Sequence, residues 1–307
     1  MNAKTENCLH ATAARCAQAL LLAMFAGLWV PAATLRAADS AIVVPGESQS
    51  PALAVIFEPF AQLLDHHLVE RRLPSGGLVS AFDYSRALAD PGTRYLLQRQ
   101  RERLAAFDPS TLDSRPRALA FWINAYNVFM IDVLLTEPVD GEPAQSVKDY
   151  GSLLNPFALF EQQRFDVGGQ LHSLQQIELD ILLGETFAER GWKDARVHFM
   201  VNCASVGCPA LRRELYTAAN VDAYMAENTR LALDTPLHLR LDGANLRVTS
   251  LFDWYSDDFT DESGSIEAWI RAHGSAESRQ AAAASQRIRF IDYDWRLNSP
   301  ANVFGTE

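Results

Sequence analysis

Cysteine is scarce in this sequence of 307 residues: there are four, Cys8, Cys16, Cys203 and Cys208. So few exclude a disulfide-dense scaffold, and they leave no second pair to complete a thiolate metal centre with Cys203 and Cys208. Motifs are equally sparse. There is no phosphate loop, no GxGxxG after a strand, no HExxH and no GxSxG, so nucleotide, zincin and α/β-hydrolase chemistry lack their sequence carriers. His66-His67 reads as part of an ordinary surface helix, and neither a metal nor a cofactor is expected. Positive charge is also short: 27 Lys and Arg against 38 Asp and Glu give a formal charge of −11. An acidic surface repels phosphate backbones and anionic lipid, which argues against nucleic acid and membrane surfaces as partners.

Long apolar runs are limited to one, from Ala17 to Ala33, which follows Lys4 and Arg15 and precedes the small residues Ala37 and Ala38. A basic start, an apolar stretch and a small-residue exit are what a signal peptidase reads, with Leu35 and Ala37 at the −3 and −1 positions. Residues 1–37 are therefore expected to be a cleaved signal, with a membrane anchor as the alternative, and the mature protein to be periplasmic or secreted. Removing Lys4, Arg15, Arg36 and Glu6 takes the charge from −11 to −13. No later segment reads as apolar for long enough to cross a bilayer, so no integral membrane domain is expected after cleavage. Roughly 270 residues remain, enough to bury a full core. Residues 38–53, with Pro45, Gly46 and Pro51, read as a flexible leader and 54–300 as one domain.

Periodicity predicts the elements. Phe57, Phe60, Leu63, Leu64 and Leu68 are spaced for a helix over 54–70, broken by Pro74, Gly76 and Gly77. Asp90 is placed to cap a helix over 91–106, with Tyr95, Leu96 and Leu104 as its inner face. From Ser114 to Thr136 the chain is apolar nearly all round, the mark of a buried central helix. Asn124 and Asn127 lie three apart on one face of it, and buried amides need partners. Phe165 to Leu171, around Gly168-Gly169, reads as a hairpin, and Ser173 with Gln176 forms a capping box for a helix through Leu183. Arg196 to Asn202 reads as a buried strand entering the turn Asn202 to Pro209. Helices over 221–232 and 265–272 and strands near 237–248 and 288–292 follow. The expected fold is α+β: one compact, helix-rich domain with a small mixed or antiparallel sheet around the central helix.

Several blocks, in order, resemble the DUF547 family: Phe121-Trp122-Ile123-Asn124-Ala125-Tyr126-Asn127; Ser173-Leu174 leading to Ile177-Glu178; His198-Phe199 with Asn202-Cys203-Ala204-Ser205 and Cys208-Pro209; Phe252-Trp254-Tyr255-Asp258-Phe259; and Tyr293-Asp294-Trp295 with Leu297-Asn298. The resemblance implies a compact α+β domain without an assigned activity, and more distantly a papain-like or transglutaminase-like fold. One departure stands out. Where the family commonly reads Ile-Glu-His, Leu179 follows Glu178 here, and Leu182-Leu183 replaces a Leu-Arg pair.

Two functions of different class are open. In the first, Cys203 is a nucleophile, His198 its base, and Asn124 or Asn202 a donor to the oxyanion, giving a thiol-dependent hydrolase or acyl transferase. On a regular strand His198 and Cys203 would face opposite ways, so the turn must swing the thiol round. In the second, favoured because two cysteines exported together usually oxidise, Cys203 and Cys208 staple the turn of a non-catalytic domain. That domain would bind a peptide, a protein or a small molecule through Asn127, Asn202 and Glu178, with Glu58, Arg212 and Arg213 near a groove. Gly207 is the residue expected to take positive φ and let the turn close.

Overall fold

The computed structural model describes residues 52–305, so the segment expected to be a signal and most of the expected leader lie outside the described residues. Everything is arranged around the helix Arg115–Thr136, which starts with Pro116 in its first turn and is buried from Ala118 to Leu135. By length and composition it could cross a membrane, which corrects the expectation that no later segment is apolar for long enough; its most apolar stretch is wholly buried in the domain. Burial follows from its neighbours. Phe121 stacks on Phe107 at 4.2 Å and Phe129 on Phe165 at 4.5 Å between ring centroids. The expected helix and hairpin therefore meet through aromatic pairs that bury large apolar area.

The helix Pro91–Ala105 is capped by Asp90, which accepts from the Gly92 N–H at 2.8 Å. Its inner face is Thr93, Leu97, Gln100 and Leu104, whereas Tyr95 is exposed, contrary to expectation. Spacings of four, three and four residues keep the first set on one stripe. Gln100 uses its burial to bind two backbone groups of the preceding segment, accepting from Phe60 N–H and donating to Ile56 O, each at 3.1 Å.

Three expectations are corrected. The helix over 54–70 breaks at Phe57 into Leu53–Ile56 and Glu58–His67 and then becomes a strand, Leu68–Arg72, paired antiparallel with Leu78–Phe82. The two strands are a local hairpin closed across Leu73 to Gly77, and the helical spacing that runs on to Leu68 masks its first strand. His67, read as a surface residue, is buried beside Asp90, 3.6 Å away. Residues expected to form a strand instead make a tight 3-10 helix, Ala195–Phe199, because Asp194 caps the Arg196 N–H and holds its guanidinium. That turn lies across two cores: Val197 and Met200 pack in the core of the central helix, and Phe199 packs with Phe252, Phe259 and Trp269.

The hairpin Phe165–Val167 with Gln170–His172 is present, as is the Ser173/Gln176 capping box. The helix that follows is wide, of π type, over Gln176–Leu182. The region 237–248 is two strands, Leu239–Asp242 and Asn245–Thr249, the second also parallel to Arg287–Ile291. The fold is helix-rich α+β with small sheets of two or three strands.

Candidate functional site

The turn after the central core is held by its own side chains. Cys203 and Cys208 form a disulfide with Cα atoms 6.2 Å apart. The residue at positive φ is Ala204, at +58°, and not Gly207. A left-handed alanine carries a steric cost of roughly 1 kcal/mol, and it is offset here by Asn202, whose Oδ1 accepts the Ala204 N–H at 2.9 Å. Gly207 matters for a different reason: a Cβ there would meet the Tyr293 ring at 3.0 Å. Any other residue would press on the ring, which would have to shift by a few tenths of an ångström. The Tyr293 hydroxyl then reaches both sulfurs, 3.1 Å from Cys203 Sγ and 3.2 Å from Cys208 Sγ.

Two amides of the central helix anchor this turn and its continuation. Asn127 Nδ2 donates to Met200 O at 3.1 Å while its Oδ1 accepts the Asn202 N–H at 2.8 Å. Asn202 Nδ2 donates to Pro209 O at 2.8 Å, and its Oδ1 also accepts from Asn298 Nδ2 at 3.1 Å. Tyr84 hydroxyl donates to Asn298 Oδ1 at 2.8 Å, closing a chain of buried polar groups. Asn124 uses both amide atoms on one residue, Tyr216: Nδ2 to its O at 2.7 Å and Oδ1 from its N–H at 3.2 Å. Asn124, Asn127 and Asn202 are matched to backbone and Asn298 to the side chains of Asn202 and Tyr84, which is how such groups are tolerated in a core.

Beside the turn lies a line of charges. His198 is buried, with Nε2 2.8 Å from Asp258 Oδ2 and Nδ1 3.4 Å from Glu178 Oε1. Lys193 Nζ sits 2.7 Å from the other Asp258 oxygen. Tyr255 stacks on the imidazole at 4.0 Å. Burial alone would lower the histidine's pKa, but its bonds to Asp258 and Glu178 outweigh that and raise it above the usual value. Asp258 is shifted the other way: burial opposes its charge, and His198 and Lys193 hold it below the usual carboxylate range. Glu178, carried on the wide helix, has the same effect on three phenols. Tyr126 is raised by burial and then by Glu178, Tyr255 by the Glu178 charge and then by burial, and Tyr293 by burial and then by Glu178. The result is a buried imidazole set between two acidic side chains and ringed by phenols whose pKa values are all raised.

The structure therefore brings His198, Glu178, Tyr126, Tyr255 and Asp258 into one group and ties Asn127, Asn202, Cys203 and Cys208 into the adjoining turn. The sulfur of Cys203 bonds Cys208 and touches Tyr293, while the nitrogens of His198 face carboxylates. Glu58, Arg212 and Arg213 are engaged elsewhere: Glu58 with Arg103, Arg212 with Glu70 and Glu227, and Arg213 with Asp65. Periodicity gave no role to Asp258, Tyr255, Tyr293 or Lys193. The first three stand in the blocks Phe252 to Phe259 and Tyr293 to Trp295, where a charge or a phenol among aromatics was the available signal.

Around Tyr293 the aromatic side chains reach the surface. Tyr293 contacts Trp254 at 4.9 Å and Trp295 at 4.5 Å, Trp254 stacks on Trp295 at 5.6 Å, and Trp295 contacts Phe157 at 4.7 Å. Lys148 lies over both Trp295 and Phe157. Trp254 is 46% exposed, and Leu153 and Leu154, in the loop that leads to Phe157, are 100% and 96% exposed.

The family model described as "Protein of unknown function, DUF547" matches residues 109–231. That span runs from just before the central helix through Asn124, Asn127, Phe157, Glu178, His198 and both cysteines of the turn; Trp254, Asp258, Tyr293 and Trp295 lie beyond it. No curated protein and no solved structure matches the chain.

Proposed function

We propose that this chain, which belongs to the DUF547 family through residues 109–231, is an exported, non-catalytic binding domain that engages an apolar peptide segment of a protein partner beside its stapled turn. The observation that carries this reading is the aromatic surface built on the turn: Gly207 and the disulfide seat Tyr293, and Tyr293 packs against Trp254 and Trp295. Contiguous exposed aromatic and leucine side chains mark interaction sites more often than they occur by chance on a monomer's surface. An apolar peptide suits this surface better than an anionic ligand, because the mature chain is acidic and Lys148 is the cation seated over these rings. Export is supported by the basic start, the apolar run and the Ala37 exit, and a disulfide is at home in an oxidising compartment.

The test is selection of peptides from a displayed library on the oxidised protein, followed by fluorescence anisotropy of the enriched peptides. Trp254→Ser and the double variant Leu153→Ser/Leu154→Ser are expected to weaken them at least about tenfold, or roughly 1.4 kcal/mol. Peptides that bind both variants as well as the parent would refute the assignment of this surface.

A second reading, thiol-dependent hydrolysis or acyl transfer through Cys203 and His198, has one observation in its favour. The Tyr293 hydroxyl lies 3.1 Å from Cys203 Sγ. In a reduced protein that hydroxyl, as donor, would stabilise a Cys203 thiolate. Against it, both ring nitrogens of His198 face carboxyl groups, Asp258 and Glu178, and the Cys203 sulfur is bonded to Cys208.

A further inference from the structure

Away from the turn, a cavity of about 380 Å³ opens between the helix Pro91–Ala105, the C-terminal half of the central helix and the hairpin that begins at Phe165. This volume is in the range of small-molecule sites. Its floor is apolar, made by the stacked pair Phe129 and Phe165 together with Val133. Into this floor projects Asp132, one turn before the end of the central helix and only 5% exposed. Arg101 approaches its Oδ2 no closer than 3.6 Å, and its Oδ1 is buried without a hydrogen-bond donor. None of the other nearby groups donates to Oδ1. Thr136 donates its hydroxyl to the Asp132 backbone oxygen, and Arg164 is committed to Glu137 and Gln162.

A carboxylate oxygen held out of water with no donor is costly, and a ligand that supplied the missing donor would relieve that cost. The wall of the cavity carries Glu102, Asp132, Glu137 and Asp166 against Arg101 and Arg164, so its balance is negative. We propose that this cavity is a binding site for a primary ammonium group on a short apolar tail, with the ammonium donating to Asp132 Oδ1 and the tail lying on Phe129, Val133 and Phe165. The ammonium could belong to a simple amine or to a free amino acid. In the second case Arg101, half exposed at the mouth and paired only at 3.6 Å, is the group that would meet the carboxylate.

Isothermal titration calorimetry of the whole chain at pH 7.5 with 3-methylbutylammonium, leucine and 3-methylbutanol tests this. At least one ammonium compound is expected to bind and the alcohol, which has the same tail, to fail. A stronger response to leucine than to the amine assigns the site to amino acids, and the reverse to amines. Asp132→Asn is expected to weaken the preferred ligand at least tenfold. Ala105→Phe, which fills the cavity from the helix end without touching Asp132, is expected to remove binding while the protein still melts cooperatively. Absence of heat with every ammonium compound, equal binding of the alcohol, or full affinity in Asp132→Asn would overturn the proposal.

Discussion

At the scale of single residues, the side chains that look most reactive are those with the most restrictive surroundings. Asp132 is the clearest case, because burial raises its carboxyl to about 6 against the partial relief given by Arg101 and Arg164. The folded protein thus holds that proton to higher pH than the unfolded chain does. Between roughly pH 4 and 6 stability should fall as pH rises, and above pH 6 the penalty is complete, at about 2 to 3 kcal/mol. Asp132→Asn carries no such charge. Denaturant unfolding at pH 4 and at pH 7 should show the variant gaining on the parent by about that amount over the interval, and a gap that does not change with pH would mean that Asp132 is not held neutral by the fold. His198 has the opposite character. Burial lowers its pKa, Asp258 and Glu178 together raise it by more, and those two side chains face both ring nitrogens, so neither nitrogen is left for Cys203.

At the scale of elements, the central helix is a scaffold that carries polar ties on an apolar body. Asn127→Leu would leave Met200 O and the Asn202 N–H without partners, and Asn124→Leu would do the same to both backbone groups of Tyr216. Each orphaned group costs about 1 to 3 kcal/mol, so both variants should unfold at clearly lower denaturant concentration. An unchanged midpoint with loss of peptide binding would place these amides in a ligand site instead. This helix was legible from sequence because its apolar character runs through every turn, and so were the capped helix after Asp90 and the Gly168-Gly169 hairpin, whose signals are local. The strand Leu68–Arg72 was not legible, since its pairing with Leu78–Phe82 competes with a helical pattern that extends to Leu68. Nor was the 3-10 turn Ala195–Phe199, where five residues alternate like a strand but Asp194 captures the backbone first. That turn decides the site: it puts His198 between Glu178 and Asp258, a contact 60 residues away in sequence that no spacing rule could report. Gly207 was singled out for the wrong property, since a close aromatic ring and a positive φ both call for glycine and sequence does not separate them.

At the scale of the whole molecule, the family-matched span supplies the buried frame and the stapled turn, and the C-terminal segment supplies the aromatic face laid over it. Val206 and Gly207 donate to Arg296 O and Asp294 O at 2.9 Å each, so the turn and the segment 293–298 are one unit. In this arrangement the disulfide fixes the turn on which Tyr293 lies, and Cys203 is expected to be a structural sulfur. Intact-mass spectrometry of the exported protein, treated with iodoacetamide under native conditions and without reduction, reads this directly. The expected species is a chain beginning at Ala38, carrying the Cys203–Cys208 bond and no label on either residue. A free pair of thiols in which Cys203 takes the label rapidly and ahead of Cys208 would contradict the structural role of the disulfide and return the turn to thiol catalysis.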